Sequence, residues 1–543
     1  MRQLDFYNDR IILLFIISIV VIPILTVFSF LFFPSNELWI HLRATLIDDY
    51  IFNTIFITLF VSLFTTIIGV TTAWLVVMYD FPGRHVFKWL LVMPIAIPAY
   101  ISAYIYAGLT EPSGFLFDFL DINFNLGKEL FSLVDIRNIY GSIFILSISL
   151  YPYIYLLCYS SFREQSYCAL EVGKSLGLND MESFNRIALP LARPAIVAGL
   201  SLVMMESLAE FGTMDYYGVA TFTTGIYRTW FALGDESSAL HLASILLSFV
   251  FLLIIMEKYS RGSRKYYHSS QKNKTPLEMR LYGKKAILST LWCLAIALLG
   301  FIIPIFQLII WLFETFDYAL RDSFLNIVFN SIFISSISAV LIVLISIYAS
   351  YKNRVMNDKF TNFALKIFSL GYSIPGVVIA VGIIIFVTSL DDIQSFLFDD
   401  PIYFFSGSLV ALFIAYLVRF STLSHNATEA GLSKIKRNID LTLNTFHLSP
   451  ITSLRRVHIP MMKTTIITSL ILVFVDIIKE LPATLILRPF NFDTLAINVY
   501  ELALSEQLMY IASPSLMLII IGLIPVIILI NNTIIEKDEK FKT

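Results

Sequence analysis

Long apolar runs separated by short polar segments dominate this chain. The first extends from about Ile11 to Phe33, and others follow at about 52–78, 88–108, 139–160, 192–213 and 238–256. Each has about the 20 residues that a helix needs to cross roughly 30 Å of hydrocarbon, so each predicts a membrane span. The pattern then breaks. From Glu257 to about Lys285 the sequence EKYSRGSRKYYHSSQKNKTPLEMRLYGKK is polar and basic, which predicts an exposed linker on one side of the membrane. A second set of runs begins after it, at about 286–313, 326–350, 365–388, 405–422, 464–480 and 511–532. The first run is too long for a signal-peptide core and has no small-residue cleavage site, so it is expected to stay as a span.

The two sets of runs are copies of one another. Phe52-Asn53-Thr54-Ile55-Phe56-Ile57 recurs as Phe329-Asn330-Ser331-Ile332-Phe333-Ile334, and Ile97-Pro98 recurs as Ile374-Pro375, both at a separation of 277 residues. Farther along the separation becomes 270, relating Ile187-Ala188-Leu189-Pro190 to Val457-His458-Ile459-Pro460. The same offset relates Glu206 and Glu210 to Asp476 and Glu480. The expected organisation is a first repeat over 1–256, a linker over 257–285 and a second repeat over 286–543. An even number of spans in each repeat makes the copies parallel, with their repeat axis along the membrane normal. The expected fold class is an all-α membrane protein of about twelve transmembrane helices in two parallel six-helix repeats.

Composition agrees: of 543 residues 57% are hydrophobic and 14% charged, with a mean hydropathy of +0.78. Soluble domains carry about 25% charged residues. Net charge, at −2, says little about partners. The distribution of the 38 Lys and Arg says more, because an N-terminus inside the cell puts most of them in cytoplasmic segments, as the positive-inside rule requires. Both termini are therefore expected in the cytoplasm. External loops lean acidic, with Glu111, Asp118 and Asp121 in the first half and Asp391, Asp392, Asp399 and Asp400 in the second. That suits a cationic cargo, and it equally suits ordinary solvated loops. Cys158, Cys168 and Cys293 lie in or beside spans or cytoplasmic loops and predict no disulfide framework. The seven histidines, His241 and His447 among them, show no metal-ligand spacing.

The polar segment of most interest is CALEVGKSLGLNDMESFNRIALP, from Cys168 to Pro190. A glycine at Gly177 permits a positive φ between two short helices, and Leu176 and Leu178 on either side of it would present apolar side chains outward. Pro190 is expected to start the helix that follows. Gly173-Lys174-Ser175 has the look of the end of a phosphate-binding loop, but the leading glycine of that motif would fall on Cys168 and no buried strand precedes it. ATP is thus not expected on this chain.

Glu171, Gly173, Gly177, Ile187, Leu189 and Pro190 match the spacing of the EAA-type loop, and by them the chain resembles the permeases of bacterial ABC importers. The second copy departs from the pattern: Leu441 stands where the glutamate should recur, with Asp440 beside it, and His447 replaces the hinge glycine. Phe446 and Leu448 still flank that hinge, and Ile459 and Pro460 still close the signature. Two further pairs of stretches resemble the fused permeases of iron(III) importers. They are Met205–Thr213 with Thr221–Trp230, and Lys479–Thr484 with Leu487–Ala496.

The resemblance implies the type I permease fold of ABC importers in the bacterial cytoplasmic (inner) membrane. It implies two copies of an ABC ATPase subunit docked on the coupling loops, an extracytoplasmic substrate-binding protein, and surrounding membrane lipid; nucleic acid has no part. The chain would bind no cofactor of its own, ATP and Mg belonging to the partner ATPase, and cargo would cross by alternating access. Glu206, Glu210, Asp476 and Glu480 are expected on helical faces near the outer end of a span, either lining the pathway or paired by Lys479 or Arg228. Another cargo (thiamine, a phosphonate or a polyamine) on the same kind of permease, and an ion-driven secondary transporter with twelve spans, are the alternative readings.

Overall fold

The computed structural model describes residues 2–543 apart from Ser35, 112–113, 115–121, 123–134, 165–174, Leu176, 262–278, Asn357, 399–404, 447–448 and 531–543. Among the described residues the only strands are a two-residue parallel pair, Tyr79–Asp80 with Met279–Arg280. All other regular structure is helical. Among the described residues ten helices are long and apolar enough to cross a membrane, or twelve if each of two bent pairs is one span. The protein is an all-α membrane protein.

The third run of each half departs from expectation. In the first half it is two helices, Arg84–Ala96 and Ala99–Thr110, meeting at 95°. Ile97 between them is extended (ψ 113°), as a residue before proline tends to be, and Pro98 has no N–H to carry a helix through. Ile374-Pro375 acts in the same way in the second half. A helix ends at Phe368, and the membrane-length helix starts only at Gly376, so the expected span at 365–388 lies instead at Gly376–Leu397.

Pro190 stands in the first turn of the helix Leu189–Ala209, as expected, and that helix continues a helical run from Asp180. The chain reaches it through a wide π turn, Phe184–Ala188. Pro460 and Pro304 likewise follow π turns, Leu454–His458 and Leu298–Ile302, by two residues. A proline ring presses on the carbonyl four residues back, and widening the turn that holds that carbonyl relieves the clash.

Two compact units emerge, and neither is one repeat. One holds Arg43–Thr224, Ser248–Phe316 and Leu502–Thr543. Its core is three helices, Ile47–Met78, Ile139–Glu164 and Leu189–Ala209, which close on Ile154. A Cβ on Gly69 would stand 2.9 Å from the Ile154 side chain and one on Gly199 3.0 Å from its Cα, so glycine on both neighbours lets the three backbones meet. The run Lys284–Glu314 seals this unit: Tyr106 donates to the Leu299 carbonyl (2.6 Å) and Gly300 lies against Pro94.

The other unit holds Met1–Leu42, Gly225–Leu247 and Asp317–Glu501. Its three-helix core, Asp322–Met356, Leu409–Ser433 and Lys463–Ile478, is the repeat of the first. Here the sealing helix is Arg2–Ser29, where Pro23 meets Gly382 of the helix Gly376–Phe398. Each unit thus takes its sealing helix from the other repeat.

Candidate functional site

The first coupling loop is described from Gly177 onward; Glu171, Gly173 and Leu176 lie outside the described residues. Gly177 has φ +81° with open space around the position of a Cβ. Leu178 is half-buried, and Asn179 then caps the next helix. Its side chain accepts from Glu182 N (2.8 Å) while Glu182 accepts from Asn179 N (3.0 Å), a reciprocal capping box. Ile187 and Leu189 are half-buried and Pro190 is exposed. Beneath them Trp74 packs edge-on to Phe162 and against Phe184, an apolar joint between loop and spans.

In the second loop His447 and Leu448 lie outside the described residues. Phe446 is 71% exposed. Ser449 stands 270 residues after Asn179 and caps in the same way, accepting from Thr452 N (3.2 Å). One position of each capped helix was missed by sequence reasoning: Met181 and its repeat mate Ile451 are 67% and 69% exposed, large apolar side chains facing outward beside both hinges. Extending the 270-residue offset through the caps would have found them. Ile459 is half-buried and Pro460 exposed.

Asp440 faces inward rather than out. Its Oδ2 accepts from Arg354 (2.9 and 2.7 Å), and its Oδ1 lies 2.8 Å from His458 Nε2.

Glu206 and Asp476 sit on helices, Leu189–Ala209 and Lys463–Ile478, as expected, but Glu210 and Glu480 do not. Glu210 follows the last residue of its helix, Ala209, and turns to accept from Thr213 N (2.9 Å). Glu480 repeats this beyond Ile478, accepting from Ala483 N (3.2 Å). Both carboxylates therefore serve first as caps of the following helices, Gly212–Tyr216 and Pro482–Leu487. Thr223 and Thr484 close each turn by donating to the carbonyl of the same glutamate (2.8 and 2.7 Å).

Beyond that the repeats diverge. Glu480 is 6% exposed and has Arg419 Nε 3.2 Å from its Oε2, a partner that pattern reading missed because it lies on another helix. Lys479 does take one acid, as expected, and it is Asp476 (3.3 Å). In the first repeat Glu206 is half-buried, and Glu210 borders a small recess with Thr54, Ser207, Thr221 and Thr223.

Two of the outer acids are already engaged. Asp391 is buried and ties the loop beyond its helix, accepting from Phe405 N (2.9 Å) and Ser406 N (2.8 Å). Glu111 meets Arg137 at 2.9 Å; burial holds its carboxyl above the usual glutamate value, Arg137 opposes this, and Glu506 and Asp135 add to it. Asp392 is exposed, and Asp118, Asp121, Asp399 and Asp400 lie outside the described residues.

Ten to twelve candidate membrane spans among the described residues, repeated three-helix cores and capped polar loops are the features of a permease of the ABC importer class. Residues 65–264 match the family described as binding-protein-dependent transport system inner membrane component. Over those residues the chain is similar to that family. It is 25% identical over 470 residues to the Fe(3+)-transport system permease protein FbpB 2 of Haemophilus influenzae, covering 85% of both chains. Shorter matches include the sulfate transport system permease protein CysT of Salmonella typhimurium, 27% identical over 28% of this chain and 51% of that one. The molybdenum transport system permease protein ModB of Escherichia coli is 25% identical over 36% of this chain and 86% of that one.

Proposed function

We propose that this chain is the membrane path and the transmission of an ATP-driven importer of iron(III). One observation carries the cargo: the relative that aligns with 85% of both chains, through both repeats, is an Fe(3+)-transport permease, whereas the sulfate and molybdenum permeases align with about a third of this chain. An extracytoplasmic binding protein delivers the cargo, and two copies of an ABC ATPase close on ATP with Mg inside the cell. The exposed apolar side chains beside each hinge, Met181 in the first loop and Phe446 and Ile451 in the second, suit a groove on those subunits. Closure favours one conformation of the spans because the docked ATPase binds the two conformations unequally. Both termini face the cytoplasm in this reading. Glu206, Glu210, Asp476 and Glu480 guide the hard cation, with Lys479 and Arg419 holding the acids of the second repeat in place. The test is ATP-dependent uptake of labelled iron(III) into vesicles holding the purified complex, with thiamine, sulfate and molybdate as competing cargoes. Uptake of another cargo in preference to iron(III) would overturn the assignment.

A further inference from the structure

The second coupling loop lacks the signature glutamate, yet its first helix, Arg437–Thr445, is held by a polar network as well as by the packing of Ile439. Arg354, at the end of the spanning helix Asp322–Met356, donates to both the Leu432 carbonyl and the Ile435 carbonyl (2.7 Å for the second), which close the end of another span. The same guanidinium grips Asp440 Oδ2, and Asp440 Oδ1 reaches His458 in the π turn that opens the next span. His458 is fully buried, with its other ring nitrogen 3.1 Å from the Ser453 carbonyl and its ring edge-on to Tyr351. Four elements therefore meet on one carboxylate and one guanidinium. Below them lies an apolar cluster of Tyr351, Leu432, Ile435 and Met462.

A nine-residue helix is not stable alone, and apolar packing by itself resists sliding poorly, because it has no direction. Charge-assisted hydrogen bonds to both oxygens of one carboxylate fix position and orientation together. We propose that Arg354, Asp440 and His458 are positioning residues for energy coupling, fastening the second docking helix to three spans so that a displacement imposed on it passes to them without slack. The proposal rests on the ATPase-docking reading above. In the first repeat the corresponding joint is aromatic: Trp74 stands 277 residues before Tyr351, and Ala188 stands 270 before His458.

The test uses the whole complex, purified from native membranes through a tag on this chain and placed in lipid vesicles, with ATP hydrolysis and labelled iron(III) uptake measured together. Arg354→Gln, Asp440→Asn and the double variant should assemble in normal amount and hydrolyse ATP, while iron moved per ATP falls about tenfold, the double losing no more than either single. Asp440→Glu, which keeps the charge, should recover part of the loss. Unchanged transport per ATP overturns the proposal, and so do losses that multiply in the double variant. Should Asp440→Asn not accumulate, His458→Gln decides by the same ratio, since its amide keeps one donor for Asp440. A wild-type complex with no ATP-dependent uptake would instead sink the docking reading and the proposal with it.

Discussion

Glu480 and Glu210 occupy the same place in the two repeats and make the same cap, and Glu480 holds Arg419 at 3.2 Å, almost out of solvent. Breaking a buried ion pair from one side strands the other charge, at a cost of about 3–5 kcal/mol, whereas replacing both partners by apolar groups is often neutral. Arg419→Leu should therefore lower the thermal stability of the detergent-solubilised protein sharply, and Arg419→Leu with Glu480→Leu should recover much of it. A loss no larger than that of a surface substitution would show that Glu480 does not depend on Arg419. The cap itself was not legible from spacing. A four-residue interval suggested one helical face, but the chain leaves the helix at the second acid, and nothing in the local apolar pattern marks that exit.

Among the elements, the coupling loops were the most legible, because their geometry is local. A glycine between two short helices foretells the left-handed turn that Gly177 makes at φ +81°, while the Asn179–Glu182 box that starts the next helix went unread. The fastening of Asp440 was not legible, since its partners lie 86 residues before and 18 after it. Among the described residues nothing lies within reach of a Cβ at Gly177, so the cost of a substitution there is the left-handed backbone, about 1–2 kcal/mol, plus whatever it presents to a docked partner. Gly177→Asp should abolish ATP-driven uptake while membrane insertion and protein level stay normal, and His447→Asp should be milder. Equal losses at the two sites in an uptake assay would remove the functional inequality of the two loops.

For the molecule as a whole, apolar run lengths made the span count readable, and two fixed offsets made the duplication readable. What they could not disclose is that packing ignores the repeat boundary, because a helix that is apolar all round carries no mark of which neighbour it will meet. Cutting the chain within 257–285 should accordingly give two fragments that each accumulate poorly alone, the first holding Arg2–Ser29 without the Gly376–Phe398 helix it packs on, the second holding Lys284–Glu314 without its own neighbours. Co-expression should restore both, as read by membrane-fraction protein level. Good accumulation of either fragment alone would argue that the sealing helix is dispensable.

The borrowed helices also bear on how the protein is made. Arg2–Ser29 leaves the ribosome long before the helix it packs on, Gly376–Phe398, so it must reside for much of synthesis surrounded by lipid. Of the ten candidate spans, the window at Arg10–Phe32 is the most apolar and that at Lys284–Glu314 the next, while the most enclosed helices, Ile139–Arg163 and Leu409–Ser433, are the least. A helix that waits can have no face that needs protein. Leu13, Val20 and Val27, all but fully covered once the unit closes, are the residues on which this requirement falls twice: they must suit lipid during translation and a packed core afterwards.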